Sequence, residues 1–284
     1  MKNIGIIGVG TMGNGIAHIS ALSGFSTVLL DLNKDLLKLG LEQIKKNYQR
    51  QVIKETISQI EMDIAIGKII STTDYDNLST CDVIIEAATE KQSVKEQIFK
   101  CLDTVCKADT ILATNTSSIS ITAIAEVTSR PEKVIGMHFM NPVPIMKLVE
   151  VVRGKKTDND TLNKVIEISE KMGKKPVECN DSPGFVTNRI LMPMINEAVY
   201  CLMEGVGTKE AIDEIMQLGM AHPMGPLKLA DLIGLDVCKD ILQILYKDLG
   251  DDKYTPCPLL EQMVHNGHLG RKTSQGFYTY NKKL

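Results

Sequence analysis

A histidine and a glutamate twelve residues apart have the residue types of an acid–base pair. Between His138 and Glu150 lies a proline-rich turn at 141–144, and both residues are six positions from residue 144. If the turn reverses the chain, an antiparallel register sets the imidazole beside the carboxylate. The carboxylate would fix the ring tautomer and favour its protonated form, which suits general acid–base catalysis. On spacing alone, a structural histidine stays an open alternative.

A glycine-rich turn near the start of the chain predicts a dinucleotide site. Residues 8–13 match G-x-G-x-x-G, after an apolar run and before a stretch with helical periodicity. In this context the first glycine permits a tight turn, the second admits a pyrophosphate close to the backbone, and the third lets helix and strand pack closely. The cofactor contacts expected at the helix N-terminus are Gly8, Gly10, Thr11, Met12 and Gly13.

Asp31 indicates which dinucleotide this turn would bind. It follows Gly13 by 18 residues and lies near the end of the apolar run 26–32. A carboxylate there accepts hydrogen bonds from ribose hydroxyls and repels a 2′-phosphate, and no arginine follows directly to offset the repulsion. We therefore expect NAD rather than NADP. The alternative is that Asp31 only caps a turn.

The elements that must position these residues alternate between strands and helices. Apolar runs predict strands at 3–8, 26–32, 68–72, 82–87, 110–114, 133–139 and 146–152. Helical stretches separate them, which is typical of an α/β fold of Rossmann type, with a doubly wound, mostly parallel sheet. The amphipathic region that ends near residue 66 is too long for one crossover helix, so it predicts an antiparallel helical pair that projects as an arm.

A composition change at 180–184 predicts a domain boundary. Capping residues and a proline there precede a long stretch of helical periodicity from Phe185 to Met203, and helices without strand signals follow up to about residue 270. We expect a nucleotide-binding domain over 1–182 and an all-α domain over 183–284.

Composition and charge disfavour several classes of protein. The 284 residues carry a net charge of −3 and are 24% charged, which does not indicate a nucleic-acid binder. No apolar stretch reaches the roughly 20 residues of a membrane span and no signal peptide is evident, so a soluble, cytoplasmic protein is expected. The seven cysteines are odd in number and include no C-x-x-C pair, and His265 and His268 lack companion ligands. No metal site is expected.

Several motifs together resemble the 3-hydroxyacyl-CoA dehydrogenase family, and most closely its short-chain bacterial branch. Beyond the glycine turn with Asp31 and the segment 138–150, they are the sequences EAATE at 86–90, TNTSS at 114–118, DSPGFVTNR at 181–189 and GRKT at 270–273. The resemblance covers essentially the whole chain. It implies an NAD-dependent enzyme that interconverts a short 3-hydroxyacyl-CoA thioester and its 3-ketoacyl-CoA, and it implies a homodimer.

The resemblance also implies roles for single residues. His138 would exchange a proton with the 3-hydroxyl group while Glu150 orients the ring; Ser117 would hydrogen-bond the substrate oxygen, and Asn188 would help to position the substrate. The alternatives are that Ser117 is a helix N-cap and that Asn188 is only a polar residue on a helix.

The resemblance implies further contacts with the cofactor and with coenzyme A. The positions that match cofactor contacts of the family are Glu90, Lys95, Asn115, Ser117, Asn141 and Lys272. Arg50 and Lys54, on the basic face of the predicted arm, are candidate contacts for the phosphates of coenzyme A, with a solvated helix face as the alternative.

Two other functions stay open at this stage. A β-hydroxyacid dehydrogenase acting on a free acid has a similar two-domain plan but relies on a lysine in place of the histidine and glutamate, so the segment 138–150 argues against it. A non-catalytic, NAD-binding structural protein of the crystallin type is the other. The residue types at Ser117, His138, Glu150 and Asn188 give that alternative no support.

Overall fold

The chain divides after Ser182 into two units, in a computed structural model that describes residues 1–281. The first unit contains a single sheet of eight strands. The strands are β1 Asn3–Ile7, β2 Ser26–Leu30, β3 Ile69–Thr72, β4 Val83–Glu86, β5 Ile111–Thr114, β6 Val134–Phe139, β7 Leu148–Arg153 and β8 Lys175–Asn180.

The strand order confirms a doubly wound, mostly parallel sheet. It is β3-β2-β1-β4-β5-β6-β7-β8, and the pairing is parallel throughout except between β6 and β7. The order reverses direction next to β1, and ligands of such sheets bind beyond the carboxyl ends of the strands at this point. The central strands β1, β4 and β5 are almost continuously apolar and buried, because helices cover both faces of a parallel sheet.

Six helices belong to the first unit. They are α1 Thr11–Leu22, α2 Lys34–Ile53, α3 Gln59–Gly67, α4 Gln92–Val105, α5 Ile121–Ala125 and α6 Asn159–Lys171. The predicted helical pair is α2 and α3, and each helix starts with a side-chain cap: Asn33 accepts from two amides of α2, and Ser58 forms a capping box with Glu61. The pair is anchored rather than free, since Leu37, Ile44 and Met62 are buried in the core that includes α1.

Strand β8 and helix α6 escape the sequence prediction. No residue of β8 is buried and it contains Pro176, so its apolar signal is weak. Both features are typical of a strand at the edge of a sheet, where one side of the backbone needs no partner strand.

The second unit is helical, as predicted. Its helices are α7 Thr187–Met203, α8 Lys209–Gly219, α9 Pro226–Ile233, α10 Leu235–Leu249 and α11 Pro258–His265. Residues such as Ile195, Leu227 and Leu242 form its core. Among the described residues of this unit, β-pairing is limited to isolated bridges at Gln275. None of the described helices in either unit combines the length and apolar composition needed to cross a membrane.

A histidine is buried inside the first unit. His18 of α1 is 1% exposed; its Nε2 lies 3.1 Å from Oε1 of Gln51, and its ring centroid lies 4.1 Å from that of Tyr48. Burial lowers the pKa of His18 to about 4, the hydrogen bond with Gln51 offsets part of this effect, and the nearby ammonium of Lys174 lowers the pKa further. The imidazole is therefore neutral at pH 7 in the folded chain.

This burial predicts a loss of stability in mild acid. The folded state holds the pKa of His18 below its unfolded value near 6.5, so the contribution is fully present above pH 6.5 and is lost as the pH falls toward 4. Between pH 7 and pH 5 the wild-type chain should lose about 2 kcal/mol more free energy of unfolding than His18→Gln. Urea denaturation at both pH values measures the difference. The variant His265→Gln, at an exposed histidine, should follow the wild type; equal pH dependence in His18→Gln and the wild type would contradict the assignment.

Candidate active site

Glycines shape the turn between β1 and α1. Gly8 has φ +95°, and a Cβ there would lie 2.6 Å from the Cα of Ala88, so the backbone and its neighbour both require glycine. A Cβ on Gly13 would collide with the carbonyl oxygen of Gly8, which shows how closely the helix approaches the turn. A Cβ on Gly10 would meet nothing within 4 Å, because this residue faces open space. The three glycines thus meet the three requirements of the motif.

The N-terminus of α1 has the character of an anion site. Gly10 is its N-cap and offers no side-chain hydrogen bond, and the first turn contains no acidic residue. The amides of that turn therefore lack intrahelical acceptors and lie at the positive end of the helix dipole. A pyrophosphate group fits these donors.

Asp31 lies directly beyond β2 and beside the glycine turn. Its Oδ2 accepts a hydrogen bond of 3.0 Å from the amide of Val9, and its Oδ1 accepts one of 3.3 Å from the amide of Asn33. Asp31 lines a cleft of about 670 Å³ together with Gly10, Thr11 and Asn141. A carboxylate, a glycine turn and an uncapped helix on one cleft fit a dinucleotide.

The histidine and the glutamate meet across β6 and β7. His138 is the register partner of Glu150, and Nδ1 of the imidazole lies 2.7 Å from Oε2 of the carboxylate. The side-by-side placement predicted from the turn is confirmed. His138 and Glu150 are 8% and 4% exposed, so their contact is shielded from water. Because a carboxylate accepts, Nδ1 carries a proton and donates a hydrogen bond to Glu150, and Nε2 lies at the other edge of the ring.

Glu90 accepts three hydrogen bonds from the loop that follows β5. The Oε1 atom of Glu90 accepts from the amide of Ser117 at 2.7 Å and from its hydroxyl at 3.0 Å, while Oε2 accepts from the hydroxyl of Thr116 at 2.8 Å. The N-cap of α5 is Ser120, whose hydroxyl accepts from the amide of Ala123. The interpretation of Ser117 as a helix N-cap is therefore wrong.

Asn115 joins this loop to the strand that carries the histidine. Its Oδ1 accepts a hydrogen bond of 2.9 Å from the amide of Phe139, directly after His138. The carboxyl ends of β5 and β6 are thus connected by a side chain as well as by the sheet. The contact restrains the end of β6 next to the imidazole.

A buried ion pair lies at the end of β4, and the sequence analysis predicted only one of its two residues, Lys95. The Nζ atom of Lys95 lies 2.6 Å from Oε2 of Glu86 and 3.3 Å from the hydroxyl of Thr114, and both charged side chains are at most 1% exposed. Glu90 lies 3.9 Å from the same ammonium. A glutamate that ends an otherwise apolar strand is the signal that could have identified Glu86, because an unpaired carboxylate there would be costly. A cofactor contact of Lys95 stays a prediction.

The other predicted residues lie elsewhere. Arg50 and Lys54 are exposed at the C-terminal end of α2. Asn188 lies in the first turn of α7 and is 7% exposed. Lys272 lies in a 3₁₀ turn at Arg271–Thr273, where its ammonium is 2.5 Å from Oδ2 of Asp236. Asn188 and Lys272 belong to the second unit, and their contacts with ligands stay predictions.

Within the first unit, the structure collects most of the predicted residues at one edge of the sheet. The glycine turn, Asp31, Glu90 and the loop at 115–117 follow the carboxyl ends of parallel strands, and His138 lies near the carboxyl end of β6. Hydrogen-bonding side chains, an uncapped helix and a buried histidine–glutamate pair thus lie along the edge where such sheets bind ligands.

Comparison with known proteins agrees with this arrangement. Two models of one family match the chain: the NAD binding domain of 3-hydroxyacyl-CoA dehydrogenase at residues 3–182 and the C-terminal domain at residues 184–280. A probable 3-hydroxybutyryl-CoA dehydrogenase of Bacillus subtilis is 51% identical over 100% of this chain and 99% of its own length. A 3-hydroxybutyryl-CoA dehydrogenase of Bradyrhizobium diazoefficiens is 52% identical over 99% of this chain and 96% of its own.

A solved structure is similar over the same extent. The crystal structure of (S)-3-hydroxybutyryl-CoA dehydrogenase from Ralstonia eutropha superposes with a TM-score of 0.97, at 46% identity, over 99% of this chain and 100% of that one. Both family models, these relatives and the shared fold lead to one conclusion: the chain belongs to the 3-hydroxyacyl-CoA dehydrogenase family.

Proposed function

We propose that this chain is an NAD-dependent dehydrogenase that interconverts (S)-3-hydroxybutyryl-CoA and acetoacetyl-CoA. The observation that carries the proposal is the buried contact of 2.7 Å between His138 and Glu150, on the sheet edge that also bears the glycine turn. The choice of thioester is supported by relatives that are 52% and 51% identical in sequence and whose names specify 3-hydroxybutyryl-CoA.

His138 and Glu150 handle the proton of the reaction. Bound NAD supplies the nicotinamide ring that accepts a hydride from C3 of the alcohol. His138 takes the hydroxyl proton through Nε2, because its Nδ1 proton is held by Glu150. The carboxylate stabilises the positive charge that the ring acquires, and burial of both groups strengthens this interaction. In the direction of reduction, the same nitrogen returns the proton to the substrate oxygen.

Ser117 and Asn188 position the substrate. Glu90 accepts from the amide and the hydroxyl of Ser117 at 2.7 and 3.0 Å, which holds the serine in place. With substrate bound, the serine hydroxyl would turn and donate to the oxygen on C3, whose own proton is directed to His138. Neither residue acts as a nucleophile. Asn188, which is 7% exposed in the first turn of α7, offers both a donor and an acceptor for the same end of the thioester.

The remaining predicted contacts divide between the two ligands. The amides of Thr11 and Met12 would hold the pyrophosphate of NAD, and Asp31 would hold the hydroxyls of the adenosine ribose. The further cofactor contacts are Glu90, Lys95, Asn115, Asn141 and Lys272. Arg50 and Lys54 are exposed cations, and their charge suits the phosphates of coenzyme A.

We further propose a homodimer formed through the second unit, in the cytoplasm. Large apolar side chains such as Ile190, Ile215 and Leu218 are 65% to 79% exposed in this unit. Exposed apolar residues in this number are typical of a surface that a second protein covers. The cytoplasmic location is supported by the seven cysteines, which are all free in the structure, as is usual in a reducing compartment.

A single assay tests the reaction. Protein mixed with NADH and acetoacetyl-CoA should consume NADH, and the absorbance at the NADH band should fall. Free acetoacetate in place of the thioester should give a rate lower by at least tenfold. Loss of NADH with the free acid alone would favour the β-hydroxyacid dehydrogenase, and NADH binding without turnover would favour the structural protein.

Removal of the imidazole should abolish proton transfer and spare the cofactor. For His138→Ala we expect kcat to fall by roughly 10² to 10⁴, with the Kd for NADH changed less than threefold. His265→Ala serves as the matched control at an exposed histidine. Stopped-flow turnover and NADH fluorescence titration measure the two quantities, and near-normal turnover in His138→Ala would refute the role of this residue.

Asp31 should determine the preference for NADH over NADPH. We expect a lower KM for NADH in the wild type, because the carboxylate repels the 2′-phosphate. In Asp31→Asn the amide oxygen still accepts from Val9, and the longer contact of 3.3 Å from the amide of Asn33 is lost together with the charge. The KM ratio should then shift by roughly tenfold toward NADPH. An unchanged ratio would show that another residue discriminates between the two cofactors.

A further inference from the structure

A buried lysine lies next to the connection that joins the two strands of the acid–base pair. Lys174 occupies the turn between α6 and β8 and is 8% exposed. Its ammonium donates to the carbonyl oxygen of Val143 and, at 2.8 Å, to the carbonyl oxygen of Met146. Both oxygens belong to residues 140–147, the connection between β6 and β7.

No acid balances this ammonium among the described residues. Burial lowers the pKa of the Lys174 ammonium, and it is the only cause of the change. The neighbouring His18 has a pKa of about 4, so no second positive charge adds to the site at pH 7. A buried cation held only by neutral oxygens is costly to the fold, which indicates that the geometry it imposes has a use.

The other side of the connection packs on the cofactor-binding helix. Val143 is 2% exposed, and a Cβ on Gly15 of α1 would lie 2.8 Å from the Cβ of Val143 and 3.6 Å from Cδ of Pro144. The connection is therefore held between the bare backbone of α1 and the ammonium of Lys174. A shift of the connection toward α1 would cause a steric clash, and a shift away from α1 would leave a gap.

The 140–147 connection borders both the cofactor cleft and the strand that carries Glu150. At its start, Asn141, Val143 and Pro144 form one wall of the cleft that begins at the glycine turn. At its end, β7 enters the sheet with Glu150 opposite His138. A slip of one residue would turn Glu150 to the other face of the sheet, away from the imidazole.

We propose that Lys174 is a positioning residue of the active site, which fixes the 140–147 connection through two carbonyl oxygens and thereby sets the cofactor wall and the histidine–glutamate register. This inference rests on the proposed function of His138 and Glu150. It goes beyond that function in assigning a distant, non-contacting residue to both cofactor binding and proton transfer. A lysine that only stabilises the fold would influence neither.

The experiment compares Lys174→Met with Lys171→Met. Methionine keeps much of the length of the side chain and removes all donors, whereas Lys171 is an exposed lysine of α6 paired with Glu167. We expect Lys174→Met to raise the Kd for NADH at least tenfold and to lower kcat for acetoacetyl-CoA at least tenfold, at a temperature where circular dichroism shows it folded. Lys171→Met should match the wild type in both. Unchanged NADH affinity and kcat in folded Lys174→Met, with only a lower Tm, would overturn the proposal.

A second variant separates the ammonium from general packing. Lys174→Ala removes the side chain, and added propylammonium should restore at least part of the NADH affinity by donating to the two carbonyl oxygens. Tetramethylammonium carries the same charge without a donor and should restore nothing; equal rescue by both ions would overturn the proposal. If either variant fails to fold, Lys174→Gln replaces it, since its amide keeps a donor, and an intermediate loss of NADH affinity is expected against none for a purely structural lysine.

The NADH titration also keeps this test independent of the substrate assignment. Wild-type protein that binds NADH and does not reduce acetoacetyl-CoA would defeat the proposed function. The effect of Lys174→Met on NADH binding would still decide whether the connection is held for the cofactor.

Discussion

The antiparallel pairing of β6 and β7 is the constraint on which the site depends. It interrupts an otherwise parallel sheet and, through its register, brings a histidine and a glutamate from adjacent strands to 2.7 Å. Parallel strands at this position would need a long crossover and would not offer directly opposed partners across a short connection. One reversal of chain direction thus places an imidazole and a carboxylate side by side at the edge of a nucleotide-binding sheet.

The first unit also buries charged side chains, and each of them has partners inside the fold. Glu86 is paired with Lys95, and Glu150 with His138, while Lys174 relies on backbone carbonyls. Glu86 accepts three hydrogen bonds and Lys174 donates two, because a buried charge without partners would cost more than the fold can offset. These side chains are therefore fixed before any ligand arrives, and fixed groups need little reorganisation during a reaction.

The features predictable from the sequence are those whose partners are close along the chain. The glycine turn and Asp31 can be recognised because one strand and one helix define their geometry, and the histidine–glutamate pair because a turn at 141–144 makes it symmetric. The ion-pair partner of Glu86 and the partners of Lys174 could not be identified in this way. Lys95 and Thr114 lie 9 and 28 positions from Glu86, and Val143 lies 31 positions from Lys174, and a single charged residue in an apolar run does not indicate which group will neutralise it. Strand β8 was missed because an edge strand with no buried residue lacks the alternation that a sequence pattern can reveal.

Two glycines of α1 allow close contact with two other parts of the chain. Gly13 allows the helix to approach the turn that faces the cofactor, and Gly15, two positions later, allows Val143 to rest on the helix backbone. A side chain at position 15 would need the volume that Val143 occupies, so a larger residue at position 15 requires a smaller one at position 143. The backbone of α1 is thus the surface on which both the glycine turn and the 140–147 connection pack, although the two are far apart in the sequence.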